Sequence, residues 1–566
     1  MLELQDLSLQ VDGHTLLAEI SARLPRRHLV AVLGPSGCGK STLLKAIAGL
    51  REHTAGQVRW EGRDLSHEGD LDPHEIGYVP QFSIAYERLT VWENIEAASR
   101  LRVSGLTTDD RHAVLDGVLK DTGLTDIADR FVRLLSGGQR RRLALALELV
   151  SAPHLLLADE VTSGLDPNAE DEIVKLLRDL SRNSERLVIH VTHSLRHLAQ
   201  HDSVLVLHEG HIVYHGSPKT LFHYFGVEGQ EYLFARLGTR TAQEWHASWQ
   251  KHREAYYREC GLATNSEVRR AAPTVIAPAT PPLPSLIAQF AVLLARRWKL
   301  FMRDRGQLTL QLALLFGFPV LVAIFALNGL PQLPSPGGAD SESFLKQVLL
   351  AAETREQFVR TGTLVSGLVM LQVVLLALIG SNNAAREIAS ERAIFEKEKF
   401  AGLRPLAYVG SKAVFLGVLI VAQSLWMALF VDWFVNFPGA FLLQAALLVL
   451  INAALTSVCL GLSSLLRSPE QASLVSIYLV GFQIPLSGAV LALPDWLAPI
   501  VRPFIASYWS WSGFIDTLRA ERYFDAVRLV TETKFEPFTQ CAWFLVCHVT
   551  LGLVLAIVGC KSSRWE

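Results

Sequence analysis

The sequence predicts an α/β domain built around a phosphate loop, followed by an all-α domain of six membrane-spanning helices. Three observations predict it. Residues 34–42 read Gly-Pro-Ser-Gly-Cys-Gly-Lys-Ser-Thr between a short apolar run and a helix-forming stretch, the setting a phosphate-binding loop requires. Short apolar runs at His28–Leu33, 155–158 and Leu187–Val191, separated by helical stretches, fit buried strands. Beyond residue 305, six apolar segments of about 20 residues follow one another.

Bulk composition narrows the class further. The 566 residues suit three or four units at a prior of roughly 150 residues each. A net charge of −2 gives no reason to expect nucleic acid as a partner. Half of the residues are hydrophobic, and the excess sits in the second half. The six cysteines (Cys38, Cys260, Cys459, Cys541, Cys547, Cys560) show no metal-ligand spacing. They read as thiols, with Cys38 facing a reducing compartment. The start, Met-Leu-Glu-Leu-Gln-Asp, has no basic region leading into an apolar core, so no signal peptide is read.

The expected order is an α/β domain over 1–230, a helical and proline-rich linker over 231–284, an amphipathic interfacial helix over 285–305, and the membrane domain over 306–566. Pro273, Pro278, Pro281, Pro282 and Pro284 stiffen the linker. In the interfacial helix Leu293, Leu294, Trp298, Leu300 and Phe301 interleave with Arg296, Arg297, Lys299 and Arg303. Spans are expected near 308–330, 361–382, 411–436, 440–466, 469–493 and 539–560. With six spans, the basic cluster at 296–305, Lys397, Lys399, Arg404, Lys412 and the tail residues Lys561 and Arg564 share one side, the cytoplasm. Trp433 and Trp496 then mark the opposite interface. Both termini are expected in the cytoplasm of a cell with the chain in its inner membrane.

The first domain carries the chemistry. Gly34, Pro35, Ser36, Gly37, Cys38, Gly39, Lys40, Ser41 and Thr42 form the loop whose amides point at phosphates, with a helix N-terminus adding positive potential. Lys40 is expected on the β- and γ-phosphates of ATP and Ser41 on Mg²⁺. The apolar run at 155–158 ends in Asp159-Glu160. Asp159 is placed to assist Mg²⁺, and Glu160 to polarise the attacking water. An apolar run ending in two acids is a common strand end. This one lies 16 residues beyond Ser136-Gly137-Gly138-Gln139 and runs into Thr162-Ser163-Gly164-Leu165-Asp166. His208, His211, His215 and His223 read as a surface hairpin turning at Glu209-Gly210, not as a metal site.

With these motifs in this order, residues 1–230 resemble an ABC (ATP-binding cassette) ATPase. The resemblance implies that 136–139 is the family signature, binding the γ-phosphate held by a second cassette. It implies that Gln81, in Gly77-Tyr78-Val79-Pro80-Gln81, is the Q-loop glutamine that touches Mg²⁺. It implies that His193, in Val191-Thr192-His193, is the switch histidine on the γ-phosphate, and that Asp166 lies in the D-loop across the dimer. Two positions depart from the pattern. Val11 stands where many cassettes place an aromatic under adenine, and Val161 where many have proline.

A cassette followed by six spans resembles the ABC-G (White/pleiotropic drug resistance) half-transporters. Leu89-Thr90-Val91-Trp92-Glu93-Asn94, Glu148-Leu149 and Val213-Tyr214-His215-Gly216 agree. So do Arg386-Glu387, Glu391-Arg392, Lys397-Glu398, Gly402, Tyr408 and Ser411-Lys412, which resemble the loop after the second span, a coupling helix in that family. Residues 507–514 with Asp516 resemble its re-entrant outer region. The resemblance implies a dimer with a second copy or a homologous half-transporter, and export of a hydrophobic or amphiphilic substrate such as lipid or drug. It also implies a cavity lined by the second and fifth spans, where Gln372 and Gln483 either face substrate or bond across helices. The rival reading is an ATPase that drives a partner protein and moves no substrate itself.

Overall fold

The computed structural model describes residues 1–65, 71–82, 84–183, 185–259, 283–327, 329–333 and 344–563. The expected proline-rich stretch lies almost wholly outside the described residues, as do Cys260 and Arg564. The chain divides into two compact units. One contains Met1–Gln289 with Glu396–Leu403, and the other Phe290–Phe395 with Arg404–Ser563.

The first unit holds two sheets. An antiparallel one has the order β2-β1-β4-β5, with β1 Leu2–Val11, β2 His14–Leu24, β4 Ala55–Trp60 and β5 Arg63–Asp64. The other has the order β10-β9-β3-β8-β7-β6, with β3 His28–Leu33, β6 Ile76–Val79, β7 Leu155–Asp159, β8 Leu187–Val191, β9 Ser203–His208 and β10 His211–Gly216. Every residue of β3, β6, β7 and β8 is buried. Parallel strands covered on both faces read as unbroken apolar runs, which is why the sequence reveals them. The pairing sets Ala158 beside Val79 and His190, and Asp159 beside Val191, which in turn pairs Val32. The C-terminal ends of four strands therefore open on one crevice, where α/β sheets place their ligands.

The histidine-rich segment folds as the expected hairpin, turning at Glu209 and Gly210 with φ of +43° and +79°. His215 departs from the surface reading. It is fully buried, with Nε2 3.5 Å from Ser203 Oγ and Nδ1 3.2 Å from Tyr257 Oη. Among the described residues no group of His, Cys, Asp or Glu is placed to hold a metal ion.

The helix Ala242–Glu259 lies within the range expected to be linker. It instead packs on the first unit, burying Trp245, Trp249 and Tyr257 in the same core as β3 and β8. Its stripe of aromatics at helical spacing supplies the burial that keeps an otherwise polar segment folded. Glu396–Leu403 belongs to this unit as well. There Lys397 Nζ lies 2.9 Å from Glu148 Oε1, while Arg102 Nη1 donates to Glu148 Oε2 at 2.9 Å. All three side chains are buried.

The second unit is helical. Arg305–Ile324, Leu349–Phe400 (which takes in most of the helix Phe344–Ala384), Pro405–Val435, Phe441–Leu465 and Phe538–Ser562 are each long and apolar enough to cross a membrane. The expected span at 469–493 is the shorter helix Pro469–Leu486, and it does not count with these five. Its first turn carries Glu470 and Gln471. Pro485 closes it, and Gly488, at φ +80°, turns the chain away.

Packing is close where residues are small. A Cβ on Gly552 would sit 2.4 Å from Ser457 O, so Phe538–Ser562 approaches Phe441–Leu465 only as a glycine. Buried amides form a closed ring. Gln311 Nε2 donates to Asn383 Oδ1 at 2.6 Å, Asn383 Nδ2 to Gln423 Oε1 at 3.0 Å, and Gln423 Nε2 to Gln311 Oε1 at 2.6 Å. Glu387 accepts from Arg297 at 2.5 and 2.9 Å and from Lys412 at 2.9 Å. Gln483 caps the buried helix Ala506–Asp516, its Oε1 accepting from Ser507 N at 3.1 Å.

Candidate active site

The crevice at the strand ends gathers most of the residues singled out from the sequence. The turn after β3 demands its glycines. Gly34 has φ +153°, and a Cβ there would lie 2.3 Å from Leu207 O. Gly39 has φ +102°, and its Cβ would lie 2.7 Å from Leu16 O. Gly39 then opens the helix Lys40–Ile47, which has no side-chain N-cap. Lys40 is buried and turned back along the loop, donating to Gly34 O at 2.9 Å and Pro35 O at 2.8 Å. A glycine cradle, an uncapped helix N-terminus and an ammonium fit a chain of phosphates. Cys38 is buried inside this turn, and burial pushes its thiol up despite Lys40 nearby.

Ser41 Oγ donates to Asp159 Oδ1 at 2.9 Å, and Tyr78 Oη donates to Asp159 Oδ2 at 3.1 Å. Burial raises the Asp159 carboxyl above its usual range, and these two hydrogen bonds oppose the shift. One residue further, Glu160 leaves the strand at φ +48°, a left-handed backbone that a glutamate adopts only when its surroundings impose it. Gln81 Nε2 donates to Glu160 Oε2, and His193 Nε2 to Glu160 Oε1, both at 2.7 Å. The Glu160 side chain is 15% exposed. Both of its oxygens are held, one from the end of β6 and one from the end of β8.

The donor set suits Mg²⁺. The Ser41 hydroxyl and the Asp159 carboxylate are hard oxygen ligands in direct contact. Gln81 commits its amide nitrogen to Glu160, which leaves its carbonyl oxygen as a third. Among the described residues these donors form no closed cage, which matches a cation completed by water and substrate phosphate.

The signature stands apart from this cluster. Ser136 caps the helix Gly137–Leu149 through a reciprocal box: Gln139 N donates to Ser136 Oγ at 3.3 Å and Ser136 N to Gln139 Oε1 at 3.1 Å. Gly138 packs against Ala169, 3.4 Å from where its Cβ would be, and Gly137 against Leu165 at 3.6 Å. Asp166 accepts from Asn168 N at 3.1 Å and Ala169 N at 3.0 Å, starting the helix Pro167–Asn183. Ser41, Gln81, Asp159, Glu160 and His193 thus converge, whereas the bonds of Ser136, Gln139 and Asp166 stay local. Ser36, Gly37 and Thr42 complete the loop, with Gly37 at φ +80°. Val11 ends β1 partly buried against the core.

Tyr78 is the residue that sequence reasoning passed over. The signal was present: a tyrosine inside a fully buried four-residue strand, three positions before Gln81, must find a partner for its hydroxyl.

Comparison with known proteins places both halves. Residues 17–163 match the ABC transporter family, and residues 288–512 match the ABC-2 type transporter family. The ABC transporter ATP-binding/permease protein Rv1747 of Mycobacterium tuberculosis is 31% identical over 599 aligned positions, covering 100% of this chain and 62% of that protein. The Fe(3+) ions import ATP-binding protein FbpC of Escherichia coli is 33% identical over 221 residues, which is 39% of this chain and 63% of that protein. The sulfate/thiosulfate import ATP-binding protein CysA of Bordetella pertussis is 36% identical over 225 residues, again 39% and 63%. The chain therefore spans somewhat under two thirds of the length of these relatives.

Proposed function

The chain belongs to the ABC transporters, an ATPase domain followed by an ABC-2 type transporter domain, and we propose that it is an ATP-driven exporter working as a dimer. Its substrate is a hydrophobic or amphiphilic molecule, such as a lipid or drug, taken from the cytoplasm or the inner leaflet. The single observation that carries the catalytic half is the pair of 2.7 Å hydrogen bonds that Gln81 and His193 make to Glu160 beside the phosphate loop.

The loop from Gly34 to Thr42 cradles the phosphates, and Lys40 swings from its carbonyl partners to the β- and γ-phosphate oxygens. Ser41, Asp159 and Gln81 would hold Mg²⁺, which would offset phosphate charge. Glu160 takes the proton of the attacking water as its oxygen adds to the γ-phosphorus, and the bond to the β-phosphate oxygen breaks to release ADP. In the isolated chain both Glu160 oxygens already accept a bond. Base work needs one of them to open, and apo hydrogen bonds of this kind commonly rearrange on substrate binding. His193 is the natural one to release, since its side chain is 39% exposed and the γ-phosphate is its expected partner.

Two copies complete two sites, because each chain holds one loop and one signature. Ser136, Gly137, Gly138 and Gln139 of one copy face the γ-phosphate on the other, with Asp166 at the seam. Local bonding of Ser136 and Asp166 within their own chain supports this reading. Such bonding leaves the glycine amides between them for a ligand from outside. The coupling segment, about 386–400, carries closure to the spans. Lys397 on buried Glu148, in the last turn of the signature helix, supports that route. The ATPase domain and both chain termini lie in the cytoplasm of an inner-membrane protein, which requires the shorter helix Pro469–Leu486 to cross as the sixth span.

The test is transport. In proteoliposomes with the ATPase domain outside, a fluorescent lipid should leave the outer leaflet only with ATP, and Glu160→Gln should abolish the movement. Hydrolysis with no movement across a panel of lipids and amphiphilic drugs contradicts the exporter reading.

A further inference from the structure

A cavity of about 480 Å³ lies among the helices Arg305–Ile324, Phe344–Ala384 and Pro469–Leu486. Its lining is mostly apolar with a few polar groups. Leu310, Leu314 and Phe318 form one stripe of the first helix, facing Leu378 and Ile477. The stripe runs over eight residues, about 12 Å of helix. Asn382, Arg386 and Ser473 supply the polar part of the lining. The volume falls in the range of small-molecule sites, and its design, mostly apolar with a few convergent polar groups, is that of a ligand pocket.

The charge at its mouth is uncompensated. Arg386 Nη2 donates to Ser473 Oγ at 3.3 Å. The adjacent carboxylate, Glu387, is taken by Arg297 and Lys412. Among the described residues no carboxylate pairs with Arg386. A guanidinium has five donors in a planar fork and matches a phosphate or carboxylate in bidentate fashion. The walls are fixed as well. The Gln311–Asn383 bond, part of the amide ring, ties the first two helices together beside Leu310 and Asn382.

We propose that this cavity binds one anionic amphiphile of the bilayer, with its phosphate or carboxylate head on Arg386 and a chain along Leu310, Leu314 and Phe318. A soluble anion would leave the apolar wall uncovered, and a neutral lipid would leave the guanidinium without a counter-charge. The proposal rests on the reading of these helices as membrane-embedded and is independent of ATP hydrolysis.

The experiment uses the full chain, purified in neutral detergent, exposed to equimolar phosphatidylglycerol and phosphatidylcholine, and examined by native mass spectrometry. Wild type should retain phosphatidylglycerol about tenfold over phosphatidylcholine. Arg386→Gln should bring the two to parity, Arg386→Lys should restore part of the preference, and Leu314→Trp, which fills the cavity, should lose retention of both. Unchanged ATP binding by each variant shows that it is folded. Preference that survives Arg386→Gln, or retention that survives Leu314→Trp, overturns the proposal. So does displacement of the lipid by glycerol 3-phosphate, which marks a plain anion site. If Leu314→Trp weakens self-association instead and leaves lipid retention unchanged, the cavity belongs to a contact with a second copy and the proposal fails. Lipid retention in a chain that transports nothing sinks the exporter reading alone; transport without selective retention sinks this site alone.

Discussion

Gln81 holds Glu160. The amide nitrogen of one stands 2.7 Å from a carboxylate oxygen of the other, although 79 residues separate them in the chain. The contact exists because β6 and β7 are parallel neighbours in register, so both residues leave the sheet at the same edge. It ties the glutamine expected on Mg²⁺ to the glutamate expected to polarise the attacking water.

Replacing Gln81 with Ala should therefore lower turnover without removing nucleotide. We expect ATP affinity within about threefold of wild type, because the loop and Lys40 are untouched, and kcat reduced roughly 100-fold, the order lost when a catalytic group is misplaced by about 1 Å. Steady-state kinetics with a fluorescent nucleotide titration checks this. A loss confined to affinity would show that Gln81 serves binding alone.

The buried Arg102–Glu148–Lys397 triad makes a stability prediction. Glu148→Ala strands two buried cations and should destabilise the first unit by about 3–5 kcal/mol. Lys397→Met leaves the Arg102–Glu148 pair intact and should cost clearly less. Denaturant unfolding ranks the two. The same Lys397→Met chain should still hydrolyse ATP while moving less lipid, if the segment transmits closure. Equal damage from both substitutions would contradict the triad's geometry.

Acid should loosen the second sheet. Burial lowers His201 to about 4 and His215 to about 3, and holds His190 well below its ordinary value. These groups are neutral when folded, whereas an unfolded histidine takes a proton below about 6.5. Their contribution is complete above pH 6.5 and is lost as pH falls through about 4 for His201 and about 3 for His215. Shifts of that size correspond at most to roughly 3 kcal/mol for His201 and roughly 5 kcal/mol for His215. Amide exchange of β8, β9 and β10 in the full chain should be fast at pH 5 relative to pH 7.5, after correction for intrinsic rates. Unchanged protection would show that these histidines are solvated.

The strands and the loop were legible because parallel burial and phosphate geometry each leave a local imprint: unbroken apolar runs in one case, fixed glycines in the other. Glu160 and His193 could be named but not joined, since the bond between them depends on β7 and β8 being neighbours. Tyr78 was hidden in a strand that reads as core. The helix Ala242–Glu259 looked like linker because most of its residues are polar; only the spacing of Trp245, Trp249 and Tyr257 reports that it packs. The segment after Ser468 looked like a span by its apolar middle, and the polar first turn and Pro485 shorten it. The amide ring of Gln311, Asn383 and Gln423 left no imprint at all, because its members come from three helices.

The central claim is that two copies of this chain build working ATPase sites on Glu160. The most direct measurement is the ATPase rate of the chain purified alone in lipid nanodiscs, with Glu160→Gln as the blank. The account predicts hydrolysis well above the blank, cooperative in ATP, with ATP binding preserved in the variant. A wild-type rate from Glu160→Gln would remove that residue from its role. No hydrolysis above the blank, in protein that binds ATP, would contradict the claim that a second copy suffices.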